Sequence, residues 1–314
     1  MQDSMAIIET FDLSRHFGKI AAVEDLTLAV EAGEVLGFLG PNGAGKTTTI
    51  RMLAGMIAPT KGYATVAGHR TDRNVEQLHE VVGILTETPG FYNRLSAKRN
   101  LEYFASFYSS IESPSKQVEK YLRLIGLWER CNDRVGTFSK GMKHRLALVR
   151  ALVHEPKVLF LDEPTAGLDP EAASEVREMI HRLGEEGHTI FLSTHNLNEA
   201  EMLCNRIAVL HTRLLALDTS EQLRRRFFRR QIIVQLEVLD AKVTVVVKKL
   251  PFVQEVHEEG SQLILELTDS ERNRPELVKT IVEAGGRVIG VSEKQYPLEE
   301  VYLRLIREES GNES

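Results

Sequence analysis

Cysteine is scarce in this sequence, whose 314 residues include only Cys131 and Cys204. The two lie far apart, and neither belongs to a CxxC pair. The sequence therefore has neither the cysteine density of a disulfide-stabilised domain nor the spacing of a zinc finger. Such sparing use of cysteine is typical of a protein from a reducing compartment.

Long apolar runs are absent as well. No uninterrupted apolar stretch approaches the ~18 residues that a membrane-spanning helix needs. The longest runs, such as Val158–Leu161 and Val243–Val247, have the length of buried strands. The N-terminal residues MQDSMAIIET lack the basic-then-apolar plan of a signal peptide. We therefore expect a cytoplasmic protein that reaches a membrane only through another protein.

The sequence also lacks an excess of positive charge. Its 39 Lys and Arg residues face 45 Asp and Glu residues, a net charge of −6, which excludes a global basic field for nucleic acid. All of this excess acid lies in residues 231–314. The arginine run Leu223–Arg230 (LRRRFFRR) precedes the change. We interpret it as a solvated helix face that pairs with the acidic tail; contact with anionic headgroups is the alternative.

The length accommodates two domains. Alternating strand and helix patterns from Val35 to Ser193 predict a mainly parallel sheet covered by helices. After the arginine run the pattern is β–α–β–α–β–α with short elements, which predicts a small separate α+β domain. The predicted domains are residues 1–219 and residues 220–314, the second including the arginine-rich linker.

A helical pattern extends from about Leu95 to Ile125. Helical spacing places four apolar side chains on one face, which we assign to core packing. They are Leu101, Phe104, Phe107 and Tyr108.

The segment GPNGAGKT, residues 40–47, matches GxxxxGK[ST] at every fixed position and lies between an apolar strand and a helix. Glycines let backbone N–H groups curl around phosphate oxygens, and the helix N-terminus adds its positive dipole end. Lys46 supplies charge to the β- and γ-phosphates, and the Thr47 hydroxyl ligates Mg²⁺. The predicted phosphate-binding residues are Gly40, Pro41, Asn42, Gly43, Ala44, Gly45, Lys46 and Thr47.

Two carboxylates, Asp162 and Glu163, end the apolar strand that begins at Val158. In a parallel sheet this is the edge where ligands bind. One carboxylate can hold Mg²⁺ and the next can deprotonate an attacking water. We assign Asp162 to the metal and Glu163 to the water.

Three further segments occur in a particular order around these motifs: Phe138–Met142 (FSKGM), Thr165–Asp169 (TAGLD) and Thr194-His195. With the phosphate loop and the acidic strand, they resemble the motifs of an ABC-type ATPase over roughly residues 5–220. Residues 220–314 resemble the C-terminal extension of drug- and ion-exporter-type ATP-binding subunits. The resemblance implies an α/β fold, a P-loop NTPase of the ABC ATPase type with a mixed sheet core and a helical subdomain, followed by a small C-terminal α+β domain.

The resemblance also implies roles for individual residues. Two domains would pair head to tail around two ATP molecules, with Ser139 and Gly141 facing the γ-phosphate held by the other subunit. Glu163 would be the general base, His195 would sense the γ-phosphate, and Asp169 would couple the two sites. Thr48 would help to cradle the phosphates and Phe17 would stack on adenine. The predicted catalytic residues are thus Glu163, His195 and Lys46.

Three positions depart from the family pattern. In the signature segment, Lys140 replaces a glycine and Met142 replaces a glutamine. Glu87 stands where the family has a glutamine that contacts Mg²⁺. A carboxylate can still ligate the metal or hold water, so Glu87 joins Thr47 and Asp162 as a predicted metal ligand.

These expectations favour an ATP-hydrolysing subunit that powers a membrane transporter, an exporter by its resemblance. Its predicted cofactors are ATP and Mg²⁺. Its predicted partners are a membrane permease, docking near Phe91–Tyr108, and a second copy or a similar ATPase subunit, on the inner face of the cell membrane. The alternatives are a non-transport ABC-type ATPase that serves translation or assembly, and a regulatory nucleotide binder without turnover.

Overall fold

The computed structural model describes residues 6–294 and 296–312. The chain forms two compact units. One ends at Ser220 and also includes the chain from Leu305 onward, and the other is Glu221–Arg304. The domain limits of 1–219 and 220–314 stay a prediction.

Between Ala6 and Asp218 the first unit contains ten strands and seven α-helices, together with two short 3-10 helices, Trp128–Arg130 and Val135–Thr137. The strands are β1 (Ala6–Phe17), β2 (Ile20–Glu31), β3 (Val35–Leu39), β4 (Lys61–Val66), β5 (His69–Arg70), β6 (Val82–Leu85), β7 (Val158–Asp162), β8 (Thr189–Thr194), β9 (Arg206–His211) and β10 (Arg213–Asp218). The helices are α1 (Lys46–Leu53), α2 (Val75–Val81), α3 (Ala97–Ala105), α4 (Pro114–Leu124), α5 (Lys140–Leu152), α6 (Pro170–Glu185) and α7 (Leu197–Leu203).

These strands form two sheets. An antiparallel sheet has the order β2-β1-β4-β5, and a six-stranded sheet has the order β10-β9-β3-β8-β7-β6. Within the second sheet, β9, β3, β8, β7 and β6 are parallel, and β10 is antiparallel to β9. The predicted mixed sheet of an α/β fold is confirmed.

The central strands are apolar because they are buried on both faces. Every residue of β3, β7 and β8 is buried. Three phenylalanines from these strands lie together in the core: the ring centroids of Phe38 and Phe191 are 4.9 Å apart, and those of Phe160 and Phe191 are 5.9 Å apart. The core therefore lies directly beneath the strand ends that carry the polar motifs.

The predicted long helix after Leu95 is two helices, α3 and α4. Helix α3 ends at Ala105. Four residues later, the backbone N–H and the hydroxyl of Ser109 both donate to Glu80 Oε1 at 3.2 Å. Leu101 is buried as expected, but Phe107 is 65% exposed. The assignment of Phe107 to the core was wrong because the helix ends before this residue.

The second unit is a small α+β domain. Helix α8 (Ser220–Phe227) leads into it, and its elements follow as β11 (Gln231–Leu236), α9 (Ala241–Val247), β12 (Val253–Glu259), β13 (Gln262–Leu267), α10 (Ser270–Glu283) and β14 (Val288–Glu293). The last helix, α11 (Leu298–Asn312), belongs to this unit up to Arg304. The antiparallel sheet has the order β12-β13-β11-β14. A β–α–β–β–α–β chain with this strand order is a ferredoxin-like arrangement.

The sequence pattern missed one strand of this domain. The predicted order β–α–β–α–β–α was wrong because β12 lies between α9 and β13. Strand β12 is at the edge of the sheet, and Glu255, Glu258 and Glu259 on it are exposed. Charge on an edge strand prevents pairing with other chains, and it also removes the alternation of apolar residues that identifies a strand.

The arginine run pairs with carboxylates of the second unit. Arg229 Nη1 lies 3.2 Å from Glu266 Oε2, and Arg230 lies within 3.2 Å of carboxylate oxygens of Glu221, Glu271 and Glu293. Pairing with the acidic tail is confirmed for Arg229 and Arg230. The helix-face part of the interpretation was wrong for this pair, because α8 ends at Phe227 before both arginines. No helix within residues 6–294 and 296–312 is both long enough and apolar enough to span a membrane.

A substitution at Gly83 tests the packing of β6 against α5. A Cβ at this position would lie 2.0 Å from the Ala151 carbonyl oxygen and 2.8 Å from Leu159 Cδ2. Because backbone atoms of α5 cannot move aside alone, we expect Gly83→Ala to lower the free energy of unfolding by about 1–3 kcal/mol. Thermal and denaturant unfolding measure the change. The control is Gly90→Ala, where a Cβ meets no atom within 4 Å, and an equal loss in both variants would contradict the prediction.

Candidate functional site

Parallel pairing brings three motifs to one edge of the six-stranded sheet. Leu39 of β3 pairs with Thr194 of β8, and Asp162 of β7 pairs with Ser193 of β8. The phosphate loop follows β3, the two acids end β7, and His195 follows β8. Segments more than 100 residues apart in sequence therefore meet at the carboxyl ends of neighbouring strands.

The phosphate loop has a backbone path that requires glycine at two places. Gly45 has φ +98°, and a Cβ there would lie 2.2 Å from the Ala22 carbonyl oxygen. A Cβ on Gly40 would lie 2.4 Å from the Leu210 carbonyl oxygen. The loop is thus pressed against neighbouring backbone, and its fixed shape suits it to hold a phosphate chain through backbone N–H groups.

The ammonium of Lys46 lies across the loop. Nζ donates to the Gly40 carbonyl at 2.8 Å and to the Pro41 carbonyl at 3.3 Å, and it lies 3.3 Å from Glu163 Oε1. The side chain is only 6% exposed. This buried positive charge beside a carboxylate and the glycine-rich loop suits the site to phosphate oxygens.

Thr47 and Asp162 offer oxygen ligands for a divalent cation. Thr47 Oγ1 donates to Asp162 Oδ1 at 3.1 Å, and Ser193 Oγ donates to the same oxygen at 2.6 Å. Mg²⁺ in proteins uses one or two such oxygens together with substrate phosphates and waters. This donor set fits Mg²⁺. The described part of the chain contains no group of three or more His, Cys, Asp and Glu residues that could hold a metal alone.

Glu163 connects the phosphate loop to His195. Its Oε2 lies 2.7 Å from His195 Nδ1, and its Oε1 faces Lys46. Glu163 has φ 50°, in the left-handed region, and its N–H donates to the Ser193 carbonyl at 3.1 Å. A non-glycine residue in this conformation is held there by its surroundings, which is common at functional sites.

A cavity of about 280 Å³ opens at this edge of the sheet, and Glu87 contributes to its wall. The predicted site residues that line it are Pro41, Asn42, Gly43, Gly45, Lys46, Thr47, Thr48, Glu87, Glu163 and His195. Three others, Gly40, Ala44 and Asp162, are buried. The remaining predicted residues, Phe17, Ser139, Gly141 and Asp169, are not among the lining residues.

Two of the remaining residues cap helices. Ser139 precedes α5, and its Oγ accepts a hydrogen bond from the Met142 N–H at 3.2 Å. Asp169 precedes α6 and accepts from the Ala172 N–H at 2.9 Å. A Cβ on Gly141 would lie 2.6 Å from Ala172 Cβ, so glycine lets α5 and α6 approach closely.

Phe17 lies at the exposed end of β1. Its ring is 48% exposed, and the Arg15 guanidinium lies 4.7 Å from the ring centroid. An accessible aromatic face is compatible with stacking on a base. Stacking on adenine stays a prediction.

Sequence reasoning missed Glu199, which is buried behind the site. Its carboxylate accepts from Thr165 Oγ1 at 2.8 Å and from Thr194 Oγ1 at 2.6 Å. It therefore joins the chain after Glu163 to the end of β8. Asn196, which caps α7 three residues earlier, marks a helix start, but no local signal identifies the Thr165 hydroxyl, 34 residues away, as a partner.

Comparisons with known proteins agree with this geometry. A family model described as ABC transporter matches residues 23–166, and one described as ATP-binding protein DrrA1-3-like, C-terminal domain, matches residues 219–306. The bacitracin transport ATP-binding protein BcrA of Bacillus licheniformis is 36% identical over 305 residues, which cover 96% of this chain and 97% of BcrA. The chain belongs to the ATP-binding proteins of ABC transporters. It is an ATPase subunit of the transport class, and the predicted transport function is confirmed over the non-transport alternative.

Other similarities cover the ATP-binding part. A fluoroquinolones export ATP-binding protein of Mycobacterium tuberculosis is 38% identical over 232 residues, which cover 73% of this chain and 76% of that protein. A solved structure titled as the ATP binding subunit of an ABC transporter has a TM-score of 0.64 and 34% identity, covering 70% of this chain and 93% of that one. This ABC ATP-binding protein thus shares sequence and fold with the family.

Replacing Lys46 tests nucleotide binding most directly. Lys46→Ala removes a charged donor to the phosphates, and such contacts contribute about 1.5–3 kcal/mol. We therefore expect the dissociation constant for ATP to rise about 10- to 100-fold, as measured by equilibrium titration with a fluorescent ATP analogue. The exposed Lys157→Ala serves as the matched control. Unchanged affinity in Lys46→Ala, with the fold intact, would count against the site.

Proposed function

We propose that this subunit pairs head to tail with a second copy, or with a similar ATPase subunit, and hydrolyses ATP in two shared sites to drive an exporting permease on the inner face of the cell membrane. The observation that carries the proposal is the Glu163 carboxylate, whose two oxygens face Lys46 and His195 at the edge of the cavity. A carboxylate between a phosphate-binding lysine and a histidine suits a general base for water attack on a γ-phosphate.

The signature segment, Phe138–Met142, supports the second subunit in this proposal. Ser139 and Gly141 do not line the cavity of their own chain. They lie at the N-terminus of the 13-residue helix α5, where the positive end of the helix dipole and free N–H groups attract anions. A γ-phosphate held by another subunit is an anion that fits this position.

Each residue of the site has a separate role in the proposed reaction. Lys46 and the loop N–H groups bind the phosphates. Thr47 and Asp162 would hold Mg²⁺, and Glu87, which lines the cavity, is the third proposed ligand. Bound Mg²⁺ would neutralise charge on the phosphate oxygens. Glu163 accepts the proton of the attacking water. His195 orients the Glu163 carboxylate and offers its other ring nitrogen to the γ-phosphate.

Export is the direction that the relatives' names support. One is named for bacitracin transport and the other for fluoroquinolones export.

A second cavity is the proposed docking site for the permease. It measures about 580 Å³, and three of the residues that line it, Phe104, Phe107 and Tyr108, belong to the predicted docking region Phe91–Tyr108. Phe107 and Met56 on it are 65% and 52% exposed. Exposed apolar side chains of this size are typical of a protein-binding groove, and a permease helix that crosses them would bury their rings.

Replacing Glu163 separates binding from turnover. Glu163→Gln keeps the shape of the side chain but cannot accept a proton, so we expect ATP binding to persist, turnover to fall at least ~100-fold and an ATP-dependent dimer to accumulate. Phosphate release and light scattering measure these outcomes. Glu171→Gln, an exposed acid in the first turn of α6, is the control. Turnover near the wild-type rate would refute Glu163 as the base.

Replacing Phe107 tests the docking groove. Phe107→Glu puts a charge where an apolar partner surface is expected, so we predict that the fraction of the chain bound to inverted membrane vesicles of its source falls severalfold. Co-sedimentation measures this fraction. Leu124→Glu on α4, also exposed, is the matched control. Equal binding of the two variants would contradict this docking site.

A further inference from the structure

Lys140 departs from the family pattern, and its side chain reaches a second motif. It is the first residue of α5, between Ser139 and Gly141. Its Nζ donates to the Ala166 carbonyl at 3.1 Å and to the Gly167 carbonyl at 2.9 Å. Both acceptors belong to the segment Thr165–Asp169, here named the coupling turn.

The coupling turn is shaped to receive this ammonium. The Ala166 N–H bonds to the Glu163 carbonyl at 3.0 Å, and the Leu168 N–H bonds to the Thr165 carbonyl at 3.2 Å. Gly167 has φ +64°, and a Cβ on it would lie 2.3 Å from Lys140 Nζ. The glycine therefore leaves the space that the lysine ammonium fills.

The coupling turn also borders the catalytic cavity. Ala166 lines the cavity beside Glu163, and Asp169 at the far end of the turn caps α6. Glu199 binds the Thr165 hydroxyl from the buried side. The turn is thus held by a carboxylate on its inner side and by Lys140 on its outer side.

We propose that Lys140 is a positioning residue that ties the signature segment to the coupling turn of the same chain. A glycine, as the family pattern has at this position, cannot make this link. A displacement of the signature segment against nucleotide held by a second subunit is then transmitted to the backbone that follows Glu163. This inference rests on the proposed function, because it assigns the consequence of the link to ATP hydrolysis between two subunits.

Four variants of the full chain distinguish the effect of the hydrogen bonds between Lys140 and the coupling turn from the effect of positive charge alone. Lys140→Met keeps the length of the side chain but removes the donors, and Lys140→Gly restores the family residue. Lys140→Arg keeps a cation that can donate to both carbonyls. Lys143→Met is the matched control, since Lys143 lines the same cavity of about 490 Å³ as Lys140 and has no hydrogen bond to the turn among the described residues.

Two measurements are made on each variant. Hydrogen exchange of the peptide that covers residues 163–169, without nucleotide, reports the link itself. We expect faster exchange in Lys140→Met and Lys140→Gly, and wild-type exchange in Lys140→Arg and Lys143→Met. In ATP turnover we expect kcat to fall about tenfold in the first two variants, with KM within about twofold and a Hill coefficient closer to one.

Wild-type exchange and kcat in Lys140→Met would overturn the proposal. Equal effects of Lys140→Met and Lys143→Met, or no rescue by Lys140→Arg, would overturn it too, because surface charge or side-chain volume would then explain the data. The hydrogen-exchange measurement needs no ATP, so it is independent of turnover. A wild-type chain without turnover would therefore refute the proposed function, while the exchange difference between the Lys140 and Lys143 variants would still decide whether the link exists.

Discussion

Parallel pairing of β3, β7 and β8 is the constraint on which the site depends. Thr47 and Asp162 are 115 residues apart in sequence, yet their side chains share a hydrogen bond, because the strands before them end at the same edge. All residues of these strands are buried, so an alternation of polar and apolar faces does not set their register. The core aromatics do: Phe160 pairs with Phe191 across β7 and β8, and the same register puts Asp162 opposite Ser193. The packing of these aromatic rings in the core thus determines which polar side chains meet at the carboxyl edge of the sheet.

The parts of the site that the sequence predicts are those with a local cause. The shape of the phosphate loop follows from its own glycines and from the strand and helix on either side, and the apolar strand predicted before the loop is β3, Val35–Leu39. The hydrogen bonds of Glu199 with Thr165 and of Lys140 with Ala166 have no such local cause, because they join residues 34 and 26 positions apart. Strand β12 was missed because its exposed carboxylates, which protect the sheet edge, erase the pattern that identifies a strand. Long-range contacts and edge protection leave no periodic signal in the sequence.

Helix capping and phosphate contact need not compete for Ser139. In this chain its Oγ accepts a hydrogen bond from the Met142 N–H, which satisfies one of the free donors of α5. A hydroxyl also has one hydrogen to donate, and that hydrogen remains for an anion at the same helix end. Asp169 differs, because an ionised carboxylate only accepts. Beyond its cap on α6, it can therefore contact a second subunit only through a donor on that subunit.

Three successive residues at the end of β8 hold different parts of the site. The Ser193 hydroxyl donates to Asp162, while its carbonyl accepts the N–H of Glu163. Thr194 donates to Glu199, which also holds Thr165 of the coupling turn. His195 contacts the Glu163 carboxylate itself. Because neighbouring side chains of a strand point to opposite faces, this one segment reaches Asp162, Glu163 and, through Glu199, the coupling turn from different sides. In the proposed mechanism, in which His195 contacts the γ-phosphate, loss of that contact would shift the end of β8 and so move both carboxylates and the coupling turn together. We propose this as the route by which phosphate release reaches the contact with the second subunit.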